Sequence, residues 1–214
     1  ATVSDPEIHD QLIALAADAW WESRREKAHM REYLDQLLVD FQETDHRLQT
    51  TLAGEAKTLE WVDWVLDRAM RGAHPTPDSL ELPTQYNQFR PLTGTVAALI
   101  QSGDLRLIRN DSLGFELVAF SALVDASEQV LRHTETLIWN STERVILGRA
   151  RHSQSPERRT SSKGSGWGEI DVAAGLNDPE IISALQVQSA ATRNRITNLR
   201  RMEEPIRRII ALIK

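Results

Sequence analysis

The apolar positions of residues 6–72 follow a helical pattern with no stop signal before Gly72-Ala73-His74-Pro75. From Leu34 onward they alternate in steps of four and three: Leu34, Leu38, Phe41, then Leu48, Leu52, Leu59, Val62, Leu66 and Ala69. Only Asp45 and Glu55 interrupt the seam. This is the heptad spacing of a helix that lies along other helices. Read as one helix, the stretch is roughly 100 Å long at about 1.5 Å per residue. A rod of that length cannot bury its own stripe, so the rest of the chain is expected to fold back along it. Asp5-Pro6-Glu7 marks its start: a capping residue, a proline suited to the first helical position, and an acid at the positive end of the dipole.

The pattern then changes. Residues 73–92 carry Pro75, Pro77, Pro83 and Pro91 and read as a loop, pinned to the bundle by Tyr86 and Phe89. Thr93 to Ser102 reads as a short helix that Gly103 ends. Leu105, Leu107 and Ile108 read as a buried turn, and Asn110 or Asp111 caps a second long helix reaching about Gly148. That helix has two heptad columns. One is Leu117, Val124, Leu131, Ile138 and Val145; the other is Leu113, Phe120, Ser127, Thr134 and Ser141. Hydroxyl residues seven apart suggest close approach of a bulky partner, and Trp61 or Trp64 is expected there; the alternative is that this column faces water. Residues 149–177 open with a basic, serine-rich run, Arg149 to Gly166, read as a mobile loop with Trp167 anchoring its far end. Asn177-Asp178-Pro179-Glu180 repeats the first helix start. A third long helix follows over 178–214 through Ile182, Leu185, Ser189, Ile196, Leu199, Ile206, Ile210 and Ile213, and Pro205 must kink or restart it.

The front of the first helix is different in kind. Trp20 and Trp21 are adjacent, so they cannot share one seam; one is expected to pack and the other to lie at a surface. From Glu22 to Glu32 the helix is polar nearly all round, with basic residues at positions 24, 27 and 31. A polar helix of this kind is a solvated connector, or it lies beside another charged surface. An apolar run, a tryptophan pair and then arginines is also the order found at the water side of a membrane interface.

Two segments carry a resemblance. Leu15-Ala16-Ala17-Asp18-Ala19-Trp20-Trp21-Glu22, followed by Arg31-Glu32-Tyr33-Leu34 and Leu37-Leu38-Val39-Asp40-Phe41, resembles an uncharacterised group of bacterial membrane-anchored proteins. Gly94-Thr95 through Leu99, then Ser102-Gly103-Asp104-Leu105-Arg106-Leu107-Ile108-Arg109-Asn110, resembles that group's segment between helices. Together they cover about a third of the chain. The resemblance implies one transmembrane helix running straight into a long amphipathic helix, and it implies no assigned activity. This sequence departs from the group at its front, where Asp5, Glu7, His9, Asp10 and Gln11 stand in place of the span. The chain starts with Ala, which fits a processed or truncated product.

Composition narrows the classes. The 214 residues are 26% charged and 41% hydrophobic, with a net charge of −6, so free nucleic acid is not an expected partner. The charge is uneven: residues 1–90 carry 9 Lys/Arg against 17 Asp/Glu, and residues 91–214 carry 16 against 14. There is no cysteine, which excludes disulfides and thiol chemistry. No segment has the ~20 apolar residues needed to cross a bilayer. Glu26-x-x-His29 and Glu43-x-x-His46 match half of a di-iron bundle motif. Both lie on one helix, 17 residues apart, so they cannot face one centre. His9, His74, His133 and His152 stand alone, and there is no phosphate-binding glycine loop. Asn140-Ser141-Thr142 matches a glycosylation acceptor but falls inside a predicted helix. Six tryptophans serve as packing anchors, or line an aromatic pocket between helices.

The expected fold is therefore all-α: one elongated antiparallel bundle over residues 1–214, with three long helices, one short helix, and a projecting membrane-proximal part at 6–33. No catalytic, cofactor-binding or metal-binding residue is expected, and no enzyme activity. The expected role is an extracytoplasmic, periplasmic interaction or sensing module of a membrane-anchored bacterial protein. The alternative is a cytoplasmic, soluble partner-binding coiled-coil bundle, self-associating through an uncovered seam at Ile13, Ala17 and Trp20.

Overall fold

The computed structural model describes residues 6–72, 89–138, 140 and 178–214, and among these the fold is all-α with no strand. Helix α1 spans Pro6–Met70 and is unbroken over 65 residues. It stops where the sequence places a stop: Gly72 adopts φ 65° and its N–H bonds back to the Ala69 carbonyl at 3.1 Å. Helix α2 spans Gly94–Ser102, and Gly103, at φ 77°, closes it by donating to the Ile100 carbonyl. A 3-10 turn follows at Asp104–Leu107, with Ile108 buried behind it. Helix α3 spans Asp111–Ile138, with Asn110 accepting from the Leu113 N–H at 3.3 Å. Helix α4 spans Pro179–Arg200, with Asp178 capping the Glu180 N–H at 2.9 Å and Pro179 in the first turn. Helix α5 spans Glu203–Ile213.

The C-terminal helix is thus two helices, broken at Arg201–Met202. Pro205 explains the position. It has no N–H to give the carbonyl four residues back, at Arg201, and its ring crowds that carbonyl. The chain restarts two residues before the proline and tucks Met202 into the core, 1% exposed.

Two compact units form along the chain. One comprises Ala1–Asp45, Pro91–Ser121 and Pro205–Lys214; the other comprises His46–Arg90 and Ala122–Glu204. In the first, Leu37, Phe41, Val96, Leu99, Leu113, Leu117, Phe120, Ile206 and Ile209 are buried. The rings of Phe41 and Phe120 meet at 5.1 Å and 60°. Asp40 is buried beside them. It accepts hydrogen bonds from Gln36 Nε2 at 2.7 Å and from the Thr95 hydroxyl. Helix α2 has no capping side chain of its own and no acid in its first turn, so Asp40 supplies the negative charge that end favours. Thr44 fixes the incoming strand of chain by accepting from the Leu92 N–H at 3.0 Å.

In the second unit, Val62 and Val65 pack with Ile181 and Leu185, and Trp61 and Trp64 lie half-buried against that cluster. The tryptophans' described packing is with the start of α4. The hydroxyl of Thr134, where a tryptophan was expected, turns back to the Val130 carbonyl at 2.9 Å. The two columns of α3 stand as the sequence placed them: Leu113, Phe120, Ser127 and Thr134 are buried, as are Leu117 and Ile138, with Val124 and Leu131 half-buried. Val145, Ser141, the 149–177 loop, Trp167, most of the 73–92 loop and His9, His74 and His152 lie outside the residues and side chains described.

The α1 seam needs a correction. The column through Phe41, Leu48 and Val62 is buried as expected, but its partner column is Leu37, Thr44, Thr51 and Val65, with Thr58 half-buried, not Leu38, Leu52, Leu59 and Leu66. The latter four are half-buried on the flank. Threonine tolerates the inner column because its hydroxyl can bond within its own turn or to incoming backbone; Thr58 gives its proton to the Gly54 carbonyl at 3.2 Å. On α4 and α5 Leu185, Ser189, Ile196, Leu199 and Ile206 are buried as expected, but Ile181 and Ile209 are buried where Ile182 and Ile210 were expected, and Ile182, Ile210 and Ile213 are half-buried.

Candidate functional site

Among the described residues, two places carry unusual chemistry. The first is the front of α1. Every described side chain from Leu15 to His29 is exposed except Ser23, which is half-buried; burial begins at Met30, inside the stretch expected to project. Leu15 is 65% exposed, Trp20 51% and Trp21 56%. The indoles touch edge to face at 5.0 Å, and the Arg24 guanidinium lies 4.5 Å from the centre of the Trp20 ring. The contact between adjacent residues and the cation over the ring shield part of the aromatic surface and leave the rest in water. Two large indoles in water are a feature that asks for a cover, because burying each is worth ~1.5–3 kcal/mol or more. Ala17, part of the expected seam, is also exposed; the side chain of Ile13 lies outside those described. Between Arg24 and Arg31 stand four cations and one carboxylate, Glu26.

The second place is buried. Arg195, on α4, is 2% exposed and faces two carboxylates from different helices of the same unit. Its Nε lies 3.1 Å from Glu55 Oε1 on α1, and its Nη1 lies 3.6 Å from Glu135 Oε1 on α3. Burial pushes the Glu55 carboxyl above its usual range; Arg195 pulls it down and Glu135 pushes it up again. Around this triad α4 buries further polar groups: Gln188, Ser189, Thr192 and Asn198. Ser189 donates to Asp63 Oδ1 at 2.7 Å, and Arg193 grips the other oxygen of the same carboxylate. Asn198 donates to Asn194 at 2.9 Å and 3.0 Å. The triad ties three helices at one level. A buried ion set of this kind selects register and pairing more than it adds stability.

Sequence reasoning noted Glu55 only as a flaw in the seam and did not single out Arg195 or Glu135. A signal was available: an acid interrupting one apolar column and an arginine interrupting another are candidates to neutralise each other.

The Glu-x-x-His pairs do not converge. His29 lies 3.9 Å from Glu32 and edge-on to Tyr33 at 4.6 Å, and no group of three or more His, Asp or Glu among the described residues could hold a metal ion. Nor is any described helix long and apolar enough to cross a membrane. No family model, no curated protein and no solved structure matches this chain.

Proposed function

We propose that this chain is a non-enzymatic helical-bundle module of a membrane-associated bacterial protein, acting outside the cytoplasm in binding or sensing. One observation carries the reading: every described side chain from Leu15 to His29 except Ser23 is exposed, although they include a leucine and two tryptophans. Tryptophans followed by arginines suit the boundary between headgroups and water, where the ring enters and the cation meets phosphate. The buried triad supports a binding role too. It spends charge on fixing helix register, as a structural module requires, with Glu55 buried and Glu135 held at its edge by the same arginine.

Co-sedimentation with phosphatidylglycerol vesicles tests this. The wild-type chain is expected to pellet with them, and Trp20→Ala/Trp21→Ala to lose partitioning about tenfold or more, on the burial value of the indoles. Equal pelleting of the two proteins, or none by either, rejects the reading.

A second reading has its own support. Ala17 and Trp20 are both exposed and lie three residues apart, on one side of α1. That side can pair with a second copy of the chain. Light scattering that gives a dimer for the wild type and a monomer for Trp20→Ala would favour self-association over the membrane.

A further inference from the structure

An open hollow of about 570 Å³ lies within the unit that comprises Ala1–Asp45, Pro91–Ser121 and Pro205–Lys214. Its floor is apolar, with Met30 and Leu34 of α1, Leu113 of α3 and Ile213 of α5. Its rim is basic. Lys27 and Arg31 stand four residues apart on one face of α1, and Arg106 and Arg109 come from the 3-10 turn and the residues just after it. Against these four cations the lining holds one carboxylate, Glu26. None of the four cations forms an ion pair with a described residue.

That arrangement is not what a surface of this protein should look like by default. The chain carries a net charge of −6, yet here four cations gather around one carboxylate. Like charges at i and i+4 repel, and the lining sets one carboxylate, Glu26, against the four cations. Below them lies apolar surface that water must cover. The hollow's size falls in the range of sites that hold a single small ligand, ~300–1,000 Å³. A ligand that answers both features has an apolar body and an anionic head.

We propose that this hollow binds a single-chain anionic amphiphile, a long-chain carboxylate, with its chain on Met30, Leu34, Leu113 and Ile213 and its head among Lys27, Arg31, Arg106 and Arg109. This deepens the sensing reading by naming what would be sensed. The two fail separately, because Trp20 and Trp21 do not line the hollow.

Calorimetric titration with laurate, kept below its micellar concentration, tests the site. The expected result is saturable binding near one per chain, with a rise in melting temperature that grows with laurate. Laurylamine and dodecyl maltoside, with the same chain and a cationic or neutral head, are expected to bind at least tenfold more weakly. Arg106→Glu/Arg109→Glu is expected to weaken laurate at least tenfold while its ligand-free melting curve stays that of the wild type. If that variant does not fold, Lys27→Glu/Arg31→Glu serves in its place. No saturable laurate binding, equal binding of the three head groups, or unchanged affinity in the charge-reversed protein overturns the proposal. So does binding to phosphatidylglycerol vesicles without binding to monomeric laurate, which would assign the cations to a lipid surface. Laurate binding by a wild-type chain that does not pellet with vesicles, or that pellets no better than Trp20→Ala/Trp21→Ala, would keep the site and reject membrane docking.

Discussion

Helix α1 is one continuous helix with two chemistries. From Leu37 to Val65 it buries one face: Leu37, Asp40, Phe41, Thr44, Leu48, Thr51, Glu55, Val62 and Val65. From Leu15 to His29 it buries none among the side chains described, and it displays Trp20 and Trp21 instead. The difference shows that helix formation and helix packing are separate problems. Backbone hydrogen bonds and good helix formers continue the helix through both stretches, while apolar periodicity decides where neighbours attach. It follows that substitutions in the packed stretch and its partners should act on stability. Substitutions in the exposed stretch should act on binding.

The largest effect is expected at the centre of the buried triad. Arg195→Ala leaves Glu55 and Glu135 facing one another without their cation, and should cost about 3–5 kcal/mol in chemical denaturation. Replacing all three at once, as Glu55→Leu/Glu135→Leu/Arg195→Met, should cost little or even stabilise. A triple variant as unstable as the single one would mean that the ion set supplies net stability rather than register. Close behind comes Phe41→Ala, which empties one side of the aromatic pair with Phe120 and should cost ~3–5 kcal/mol. A loss below ~1 kcal/mol would show that this core is not packed as described.

Acidity gives an intermediate effect with a definite sign. Glu55 in the folded protein holds its proton above the ordinary glutamate range. The folded state then binds that proton more tightly than the unfolded chain does. Its contribution is fully present below the ordinary value and is lost as pH rises through the folded value. Relative to Glu55→Gln, which has no proton to lose, the wild type should therefore lose stability as pH climbs through that window. A difference in unfolding free energy between the two proteins that is flat with pH, or that rises, contradicts the burial of this carboxyl.

Smaller again is Asp40→Asn. It keeps the shape but removes the charge that faces the start of α2, and should cost about 1 kcal/mol. The smallest effect on stability is expected from Trp20→Ala/Trp21→Ala, within about 0.5 kcal/mol of wild type, because those side chains touch little of the fold. A large loss there would erase the contrast between the two stretches.

Much of this architecture was legible in the residues. Pro6, Gly72, Gly103, Asn110, Asp178 and Pro205 mark helix starts, stops and the restart through steric or capping rules that act locally. The α3 columns were legible because Leu117, Phe120 and Ile138 fix the register and the hydroxyl residues only follow it. The α1 register was misread by one position because Leu38, Leu52, Leu59 and Leu66 outweighed Thr44, Thr51 and Thr58. Burial there depends on which side the neighbours occupy and on where each hydroxyl finds a partner. Helix α4 was the hardest, since half of its 22 residues are buried and five of those are polar or charged: Gln188, Ser189, Arg195, Thr192 and Asn198. No periodicity of apolar residues can show a seam built that way. The triad depends on three segments meeting, which one-dimensional spacing does not encode. The tryptophan pair was only half legible: adjacency predicts one indole packed and one at a surface, whereas both Trp20 and Trp21 are exposed, because no neighbour covers this part of α1.

Hydrogen exchange read by mass spectrometry, with and without phosphatidylglycerol vesicles, tests most directly whether the front of α1 is the part that binds. Peptides covering residues 15–29 should exchange more slowly when vesicles are present, while those covering the packed positions from Leu37 to Val65 should not change. Unaltered exchange at 15–29, or slowing confined to other parts of the chain, would contradict the account.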